Sequence, residues 1–255
     1  MFHISTVALF DELIDPVLST GVVGRAVTDG RVAVSHHSPR EFTHDPHRSV
    51  DDRPYGGGPG MVMLYQPMRD AISAARRAAP EGVPVLVMSA QGRSFDQALA
   101  AELADGSGMV LVAGRYEGID ERLMADAGTC EISIGDFVMS GGEIAAAAII
   151  DAVVRLLPDV LGHQDSSIED SFVDGLLDCP HYTRPEEVDG FRVPGVLLSG
   201  DHAAIRRWRL KQALGRTWLR RPDLLQRRGL STEEEALLAE FKVEQATETP
   251  TGDGK

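Results

Sequence analysis

From residue 1 to about 157 the chain alternates short apolar, β-branched runs with segments of helical spacing, and that alternation leaves few folds open. Residues 4–9, 31–35, 83–89, 109–113 and 130–134 read as strands. Residues 66–79, 95–104, 119–127 and 143–157 read as helices, with Pro67 in a first turn, where proline is tolerated. Strands and helices in alternation predict a parallel sheet covered by helices on both faces. Ligands of such sheets lie beyond the carboxyl ends of the strands, which directs attention to the loops after residues 88, 113 and 134.

Periodicity fails from Pro158 to about Asp174, where residues 162–167 are polar and linker-like. No strand–helix alternation returns beyond it. Residues 203–214, 217–221 and 232–242 read as helices, with Ser231 or Thr232 capping the last and Glu233 to Glu235 near its positive end. The expected organisation is an α/β domain over 1–160, a flexible linker over 161–175, a small all-helical domain over 176–245 and a disordered tail over 246–255.

The net charge is −14, which speaks against a polyanionic partner until its distribution is considered. Nine basic residues, Arg206, Arg207, Arg209, Lys211, Arg216, Arg220, Arg221, Arg227 and Arg228, fall within 23 positions interrupted by one acid, Asp223. A solvated helix face is the ordinary reading of such a run. So sharp a concentration in an acidic chain is instead the local footprint of a phosphate backbone. Trp208 and Trp218 lie in the same segment and, at helical spacing, read as core anchors. The longest apolar run, 144–150, stops at Asp151 and is too short for a membrane span. With two cysteines at no metal-type spacing and no basic leader, a cytoplasmic, soluble protein is expected.

Four glycine-containing stretches are candidates for ligand contact. Tyr55-Gly56-Gly57-Gly58-Pro59-Gly60 either brings backbone close to a ligand or is only a tight loop; it lacks the Lys-Ser/Thr ending of a phosphate loop. Ser89-Ala90-Gln91-Gly92-Arg93, Gly114 to Arg122 and Ser133 to Glu143 each join a predicted strand to a predicted helix. Three such loops at corresponding sheet ends imply a shared pocket. None carries the dinucleotide fingerprint, and the mixture of glycine backbone with Ile134, Phe137 and Met139 suits a flat, uncharged heterocycle. Acid–base candidates cluster at Glu169, Asp170, Asp174 and Asp178, with Arg155 ending the preceding helix; adjacent carboxylates raise one another's pKa, although linker acids are usually only solvated.

Phe42-Thr43-His44-Asp45, Val50 to Met61, Gly114 to Arg122, Glu169-Asp170-Ser171-Phe172, Leu176 to Arg184 and Val196 to Pro222 closely resemble the bacterial tRNA (guanine-N1)-methyltransferases, the TrmD family of the SPOUT superfamily. The resemblance spans roughly residues 1–242. It implies a SPOUT-type parallel sheet with a deep trefoil knot, S-adenosylmethionine bent inside the knot, magnesium, and a homodimer in which the cofactor pocket of one subunit faces the linker and helical domain of the other. No membrane and no other protein partner is implied. The implied substrate is tRNA with guanosine 37 preceded by guanosine 36.

Residue by residue, Asp170 matches the general base and Arg155 the essential arginine. Gly114 and Ile134, Gly135, Asp136, Phe137, Val138 and Met139 match cofactor positions, to which the loops add Ser89, Ala90, Tyr116, Gly141 and Gly142. Asp51, Arg115 and Glu117 match substrate or metal positions, Glu117 and Asp170 being the carboxylates for the ion. Ser166, Arg207, Arg209, Lys211, Arg220 and Arg221 are expected on the tRNA. The chain departs from the family in having Ala90 and Ala145 for proline and Phe137 for tyrosine, which puts cofactor affinity in question but removes no reacting group. A SPOUT methyltransferase of another RNA position shares most of these features. A non-catalytic RNA-binding protein accounts for the basic cluster but not for three cofactor-type loops together with Asp170.

Overall fold

The computed structural model describes residues 1–125, 129–161 and 170–248. It divides into two compact units, Met1–Gln164 and Asp165–Lys255. In chain order the first unit runs β1 (Phe2–Val7), α1 (Asp15–Ser19), α2 (Gly21–Thr28), β2 (Val32–His37), β3 (Asp51–Asp52), β4 (Val62–Met63), α3 (Tyr65–Ala78), β5 (Val85–Ser94), α4 (Gln97–Ala104), β6 (Gly108–Ala113), β7 (Thr129–Ser133) and α5 (Glu143–Val154). Five strands form one parallel sheet in the order β2-β1-β6-β5-β7.

The alternation of side chains along β6 explains why both faces are covered. Met109, Leu111 and Ala113 join a core with Ile149, Ile150 and Val153 of α5, while Val110 and Val112 join a second core with Met68, Ala71 and Ile72 of α3. Every residue of β6 is buried, as a central parallel strand requires. Removing a fully buried side chain such as Leu111 would cost about 2–5 kcal/mol.

The structure differs from the sequence reading in a few places. Helices α1 and α2 were not expected; Pro16 and Gly21 punctuate that stretch, yet Pro16 sits at a helix start, where its missing N–H is no loss. The expected helix over 119–127 is, as far as Met124, a single 3-10 turn, Glu121–Leu123. Asp120 accepts the Arg122 backbone N–H at 3.0 Å and its guanidinium at 2.6 and 2.8 Å, which locks a turn rather than a helix.

The second unit contains β8 (Glu187–Val188), β9 (Phe191–Arg192), α6 (His202–Arg220), α7 (Pro222–Arg228) and α8 (Thr232–Glu248). The β8–β9 hairpin corrects the all-helical expectation. Its turn is Asp189-Gly190, both at positive φ (52° and 82°), the turn that suits the twist of a two-residue hairpin. Helix α6 is continuous where a break was expected near Gly215. A Cβ on Gly215 would strike the ring of Phe241, so this glycine serves the close approach of α8 rather than a turn. Helix α8 continues through Glu248, correcting the expected tail over 246–248, with Thr247 Oγ1 bonded back to Val243 and Glu244. The core of this unit is Leu176, Leu214, Leu237 and Leu238, packed with Leu210, Ala213, Leu225 and Leu230. Trp218 is 37% exposed and lies outside this core, contrary to its expected role. No helix of the described residues is long and apolar enough to cross a membrane.

The start of α8 yields a pH prediction. Ser231 Oγ accepts the Glu234 N–H at 3.3 Å, and the Glu234 carboxylate accepts the Ser231 N–H at 2.8 Å, a reciprocal cap. Arg228 Nη2 donates to the same carboxylate at 2.7 Å. These donors, Arg228 first, hold Glu234 at about 2, below its ordinary 4.5. A depressed carboxyl stabilises fully above its unfolded value and loses that contribution as pH falls from 4.5 through about 2. The contribution at neutral pH is at most about 3 kcal/mol. Both tryptophans lie in α6, so their fluorescence reports on this unit. Melts followed by it should show wild type losing more stability between pH 5 and 3 than Glu234→Gln; equal losses would assign the acid sensitivity elsewhere.

Candidate functional site

The carboxyl ends of β5, β6 and β7 converge on a cavity of about 310 Å³. Its first wall is an excursion within β5. Met88 pairs with Ile132, residues 89–92 bulge away, and Arg93 returns to pair with the same Ile132. Gly92 permits the return, because a Cβ there would strike the backbone of Glu131 and Ile132.

The second wall follows β6. Glu117 N–H donates to Met61 O at 3.0 Å, Met63 N–H to Gly118 O at 2.9 Å and Asp120 N–H to Met63 O at 3.2 Å, which hold the 114–120 loop against β4. Tyr116 sits at φ 61°, an uncommon conformation for a non-glycine residue and one that clusters at functional sites. Gly56, Gly57 and Gly58 take positive φ facing open space, whereas a Cβ on Gly60 would run into the Glu117 carboxylate.

The third wall follows β7. Gly142 N–H donates to Gly114 O at 2.9 Å, and a Cβ on Gly142 would lie 2.8 Å from Met88 Cβ and 2.9 Å from Ala113 Cα. The segment after β7 therefore packs directly against the ends of β5 and β6. Ile134 and Met139 are half-buried in this wall, and Phe137 and Val138 are exposed. Beneath it Arg115 Nε donates to both oxygens of the fully buried Glu143, at 2.9 and 3.0 Å. The Arg115 guanidinium also lies 4.6 Å from the Phe10 ring centroid.

Of the cofactor-type residues named from the sequence, all line this cavity except Asp136, and Arg115 and Glu117 line it as well. So do Ala90, Phe137 and Ala145, the three departures from the family pattern. Asp51, in β3, and Arg155, which ends α5, are not among the lining residues. Ser166 and Glu169 lie outside the described residues.

In the second unit, Asp170 opens a turn in which Phe172 N–H donates to Leu176 O at 2.7 Å and Leu176 N–H to Asp174 Oδ1 at 3.1 Å. Asp170 shares a smaller cavity of about 260 Å³ with Asp178, Cys179, Arg206 and Arg209. The basic cluster is partly neutralised by acids, two of them near in sequence and two 33 positions along the chain. Arg207 pairs with Glu240 at 2.6 Å, Lys211 with Glu244 at 2.5 Å, Arg221 with Asp223 at 2.8 Å and Arg228 with Glu234 at 2.7 Å. Lys211 is buried in its pair, while Arg206, Arg220 and Arg227 are exposed and belong to none of these four.

Comparison with known proteins identifies the family. Residues 2–227 match the family model described as tRNA (Guanine-1)-methyltransferase TrmD. A protein of Salmonella paratyphi C, named tRNA (guanine-N(1)-)-methyltransferase, is 59% identical over 251 residues, covering 98% of both chains. A protein of the same name from Cronobacter sakazakii is 58% identical over the same span. A family model matched over most of the chain, and such identity along nearly its whole length, place it plainly: the chain belongs to the TrmD family of tRNA (guanine-1)-methyltransferases.

Proposed function

We propose that the protein transfers a methyl group from S-adenosylmethionine to N1 of guanosine 37 in tRNA, the guanosine beside the anticodon and preceded by guanosine 36. The observation that carries this reading is the three-walled cavity at the carboxyl ends of β5, β6 and β7. Its glycines let loops close tightly, and Ile134, Phe137 and Met139 offer apolar surface to an adenine. Bound there, S-adenosylmethionine supplies a methyl group already activated by a sulfonium charge, so no covalent enzyme intermediate is required.

Guanine N1 carries a proton and is a poor nucleophile until that proton leaves. Asp170 accepts it, a role that contributes about 10² to 10⁴ in rate. Negative charge then grows on guanine O6, and Arg155 stabilises that charge more in the transition state than before it. The target base must leave the anticodon-loop stack, at about a few kcal/mol. Glu117 and Asp170 are hard oxygen donors of the kind magnesium takes, and magnesium commonly needs only one or two carboxylates beside its waters. Such an ion would also neutralise charge on O6. The clustered group of three candidate ligands among the described residues includes neither, so no step is assigned to the ion.

A knotted backbone and a homodimer belong to the same reading. The bridge between Arg115 and Gly141, with the Gly142–Gly114 hydrogen bond, supports a knotted crossing of the segment after β7. The free cysteines Cys130 and Cys179 accord with a cytoplasmic setting. The test is methylation of a tRNA transcript with guanosines 36 and 37 against one lacking guanosine 37, on protein sized for a dimer of 27.5 kDa chains. Equal methylation of both transcripts would sink the assignment.

The ion pairs refine what salt should do. Phosphate contacts make log affinity fall with log salt by about 0.7 to 0.9 per phosphate. Replacing the exposed Arg220 and Arg227 by glutamine should flatten that slope by up to about two, for all tRNAs alike. Replacing Lys211, committed to Glu244, should change it less. A slope indifferent to Arg220 and Arg227 would leave the cluster as a solvated face.

A further inference from the structure

We propose that Asp178, Cys179 and His181 form a binding site for a thiophilic divalent cation of the zinc type, distinct from the cavity at the strand ends. One ligand atom from each lies within 4.8 Å of the others. Asp178 Oδ2 is 2.7 Å from His181 Nε2, and Asp178 Oδ1 accepts the Cys179 N–H at 2.6 Å. Cys179 is buried, Asp178 half-buried and His181 exposed, so the sulfur is held inside and the imidazole faces solvent.

The backbone carrying these donors is already fixed. Asp178 N–H donates to Ser171 Oγ at 2.9 Å, and Leu177 N–H to Thr217 Oγ1 of α6 at 2.8 Å. Zinc bonds of about 2.3 Å to sulfur and 2.0–2.2 Å to nitrogen and oxygen set tetrahedral donors roughly 3.3–3.8 Å apart. The present spacing, within 4.8 Å, must close by up to about 1 Å to reach that. As the ion binds, the Cys179 thiol releases its proton to solvent and a sulfur–metal bond forms. His181, whose Nε2–H now donates to Asp178, carries its proton on Nδ1 instead and presents the Nε2 lone pair, and Asp178 Oδ2 turns from the imidazole to the metal. Water takes the fourth position. One sulfur, one imidazole and one carboxylate select zinc or cobalt over magnesium. Thiolate and carboxylate together cancel the dication, which matters because Arg206 and Arg209 line the adjoining cavity.

That cavity also contains Asp170. On the reading that Asp170 is the base, on which this consequence alone rests, an ion at Cys179 inhibits methyl transfer. The full-length protein should be dialysed against zinc, then against cobalt for spectroscopy. One equivalent per chain and a thiolate-to-cobalt charge-transfer band are expected. Both should be lost in Cys179→Ser and weakened at least about tenfold in His181→Gln, whose exposed position spares the fold. Both should persist in Cys130→Ser, which removes the other, exposed thiol. Absence of stoichiometric binding, or a band that survives Cys179→Ser or vanishes in Cys130→Ser, would overturn the site. Stoichiometric binding without inhibition upholds the site and counts instead against Asp170 as the base.

Discussion

Asp170→Asn is expected to lose between about a hundredfold and ten-thousandfold in single-turnover methylation while binding S-adenosylmethionine as the wild type does. The amide keeps the shape of the carboxylate, whose Oδ2 is buried, but has no site for the N1 proton. The turn around it is built to hold it still. Phe172 takes φ 77°, a conformation that costs a bulky residue about 1–3 kcal/mol. The turn persists because Gly175 N–H donates to Phe172 O at 3.2 Å, and Arg228 Nε donates to Asp174 O at 2.5 Å. Cofactor binding should be spared, since the loops that line the 310 Å³ cavity all belong to the first unit. Arg155→Ala should lose turnover comparably, again with cofactor affinity intact. Near-normal single-turnover rates in Asp170→Asn would move the base elsewhere, with Glu117 the next carboxylate to replace. A loss confined to tRNA affinity would make Asp170 a binding group.

What could be read from the sequence follows the range of the physics involved. The sheet was legible because burial on both faces forces continuous apolar runs, as in residues 109–113, whatever the neighbours are. The three loops were legible because strand ends in a parallel sheet point one way, and glycine marks where backbones must touch, as Gly142 does against Ala113. The Asp189-Gly190 turn between Val188 and Phe191 was also a local signal, and it was overlooked among polar residues. Other features were not local. Gly215 looks like a helix breaker until Phe241, 26 positions on, is found above it. The positive cluster looks uncompensated until the packing of α6 on α8 brings Glu240 and Glu244 beside Arg207 and Lys211. No periodicity in either segment encodes those pairings. Asp178, Cys179 and His181 went unread as a group because two of the donors are adjacent and none has metal-type spacing.

Arg115 is the position where the family-based and physical readings diverge most, and its replacement should be felt first in folding. The resemblance assigns it to substrate or metal contact. In the structure its side chain is 17% exposed, and its Nε engages both oxygens of Glu143, which is fully buried at the start of α5. Arg115→Ala leaves that carboxylate in the interior without its counter-charge, a change that costs about 3–5 kcal/mol. For a unit of this size that corresponds to a fall in Tm of roughly 10 °C. The damage should spread to the cavity, because Arg115 also bridges Gly141 and stacks beside Phe10. The control is the pair replaced together. Arg115→Met with Glu143→Leu removes both charges and keeps the volume filled, so it should recover most of the lost stability. If the double variant regains its Tm and also binds tRNA and transfers methyl normally, Arg115 is a scaffold for the β6 loop. If Tm recovers but tRNA affinity stays low, the guanidinium serves the substrate as well as Glu143. A single Arg115→Ala variant that melts within about two degrees of wild type would show that Glu143 is satisfied without it, and the buried pair would lose its claim to hold this wall of the cavity.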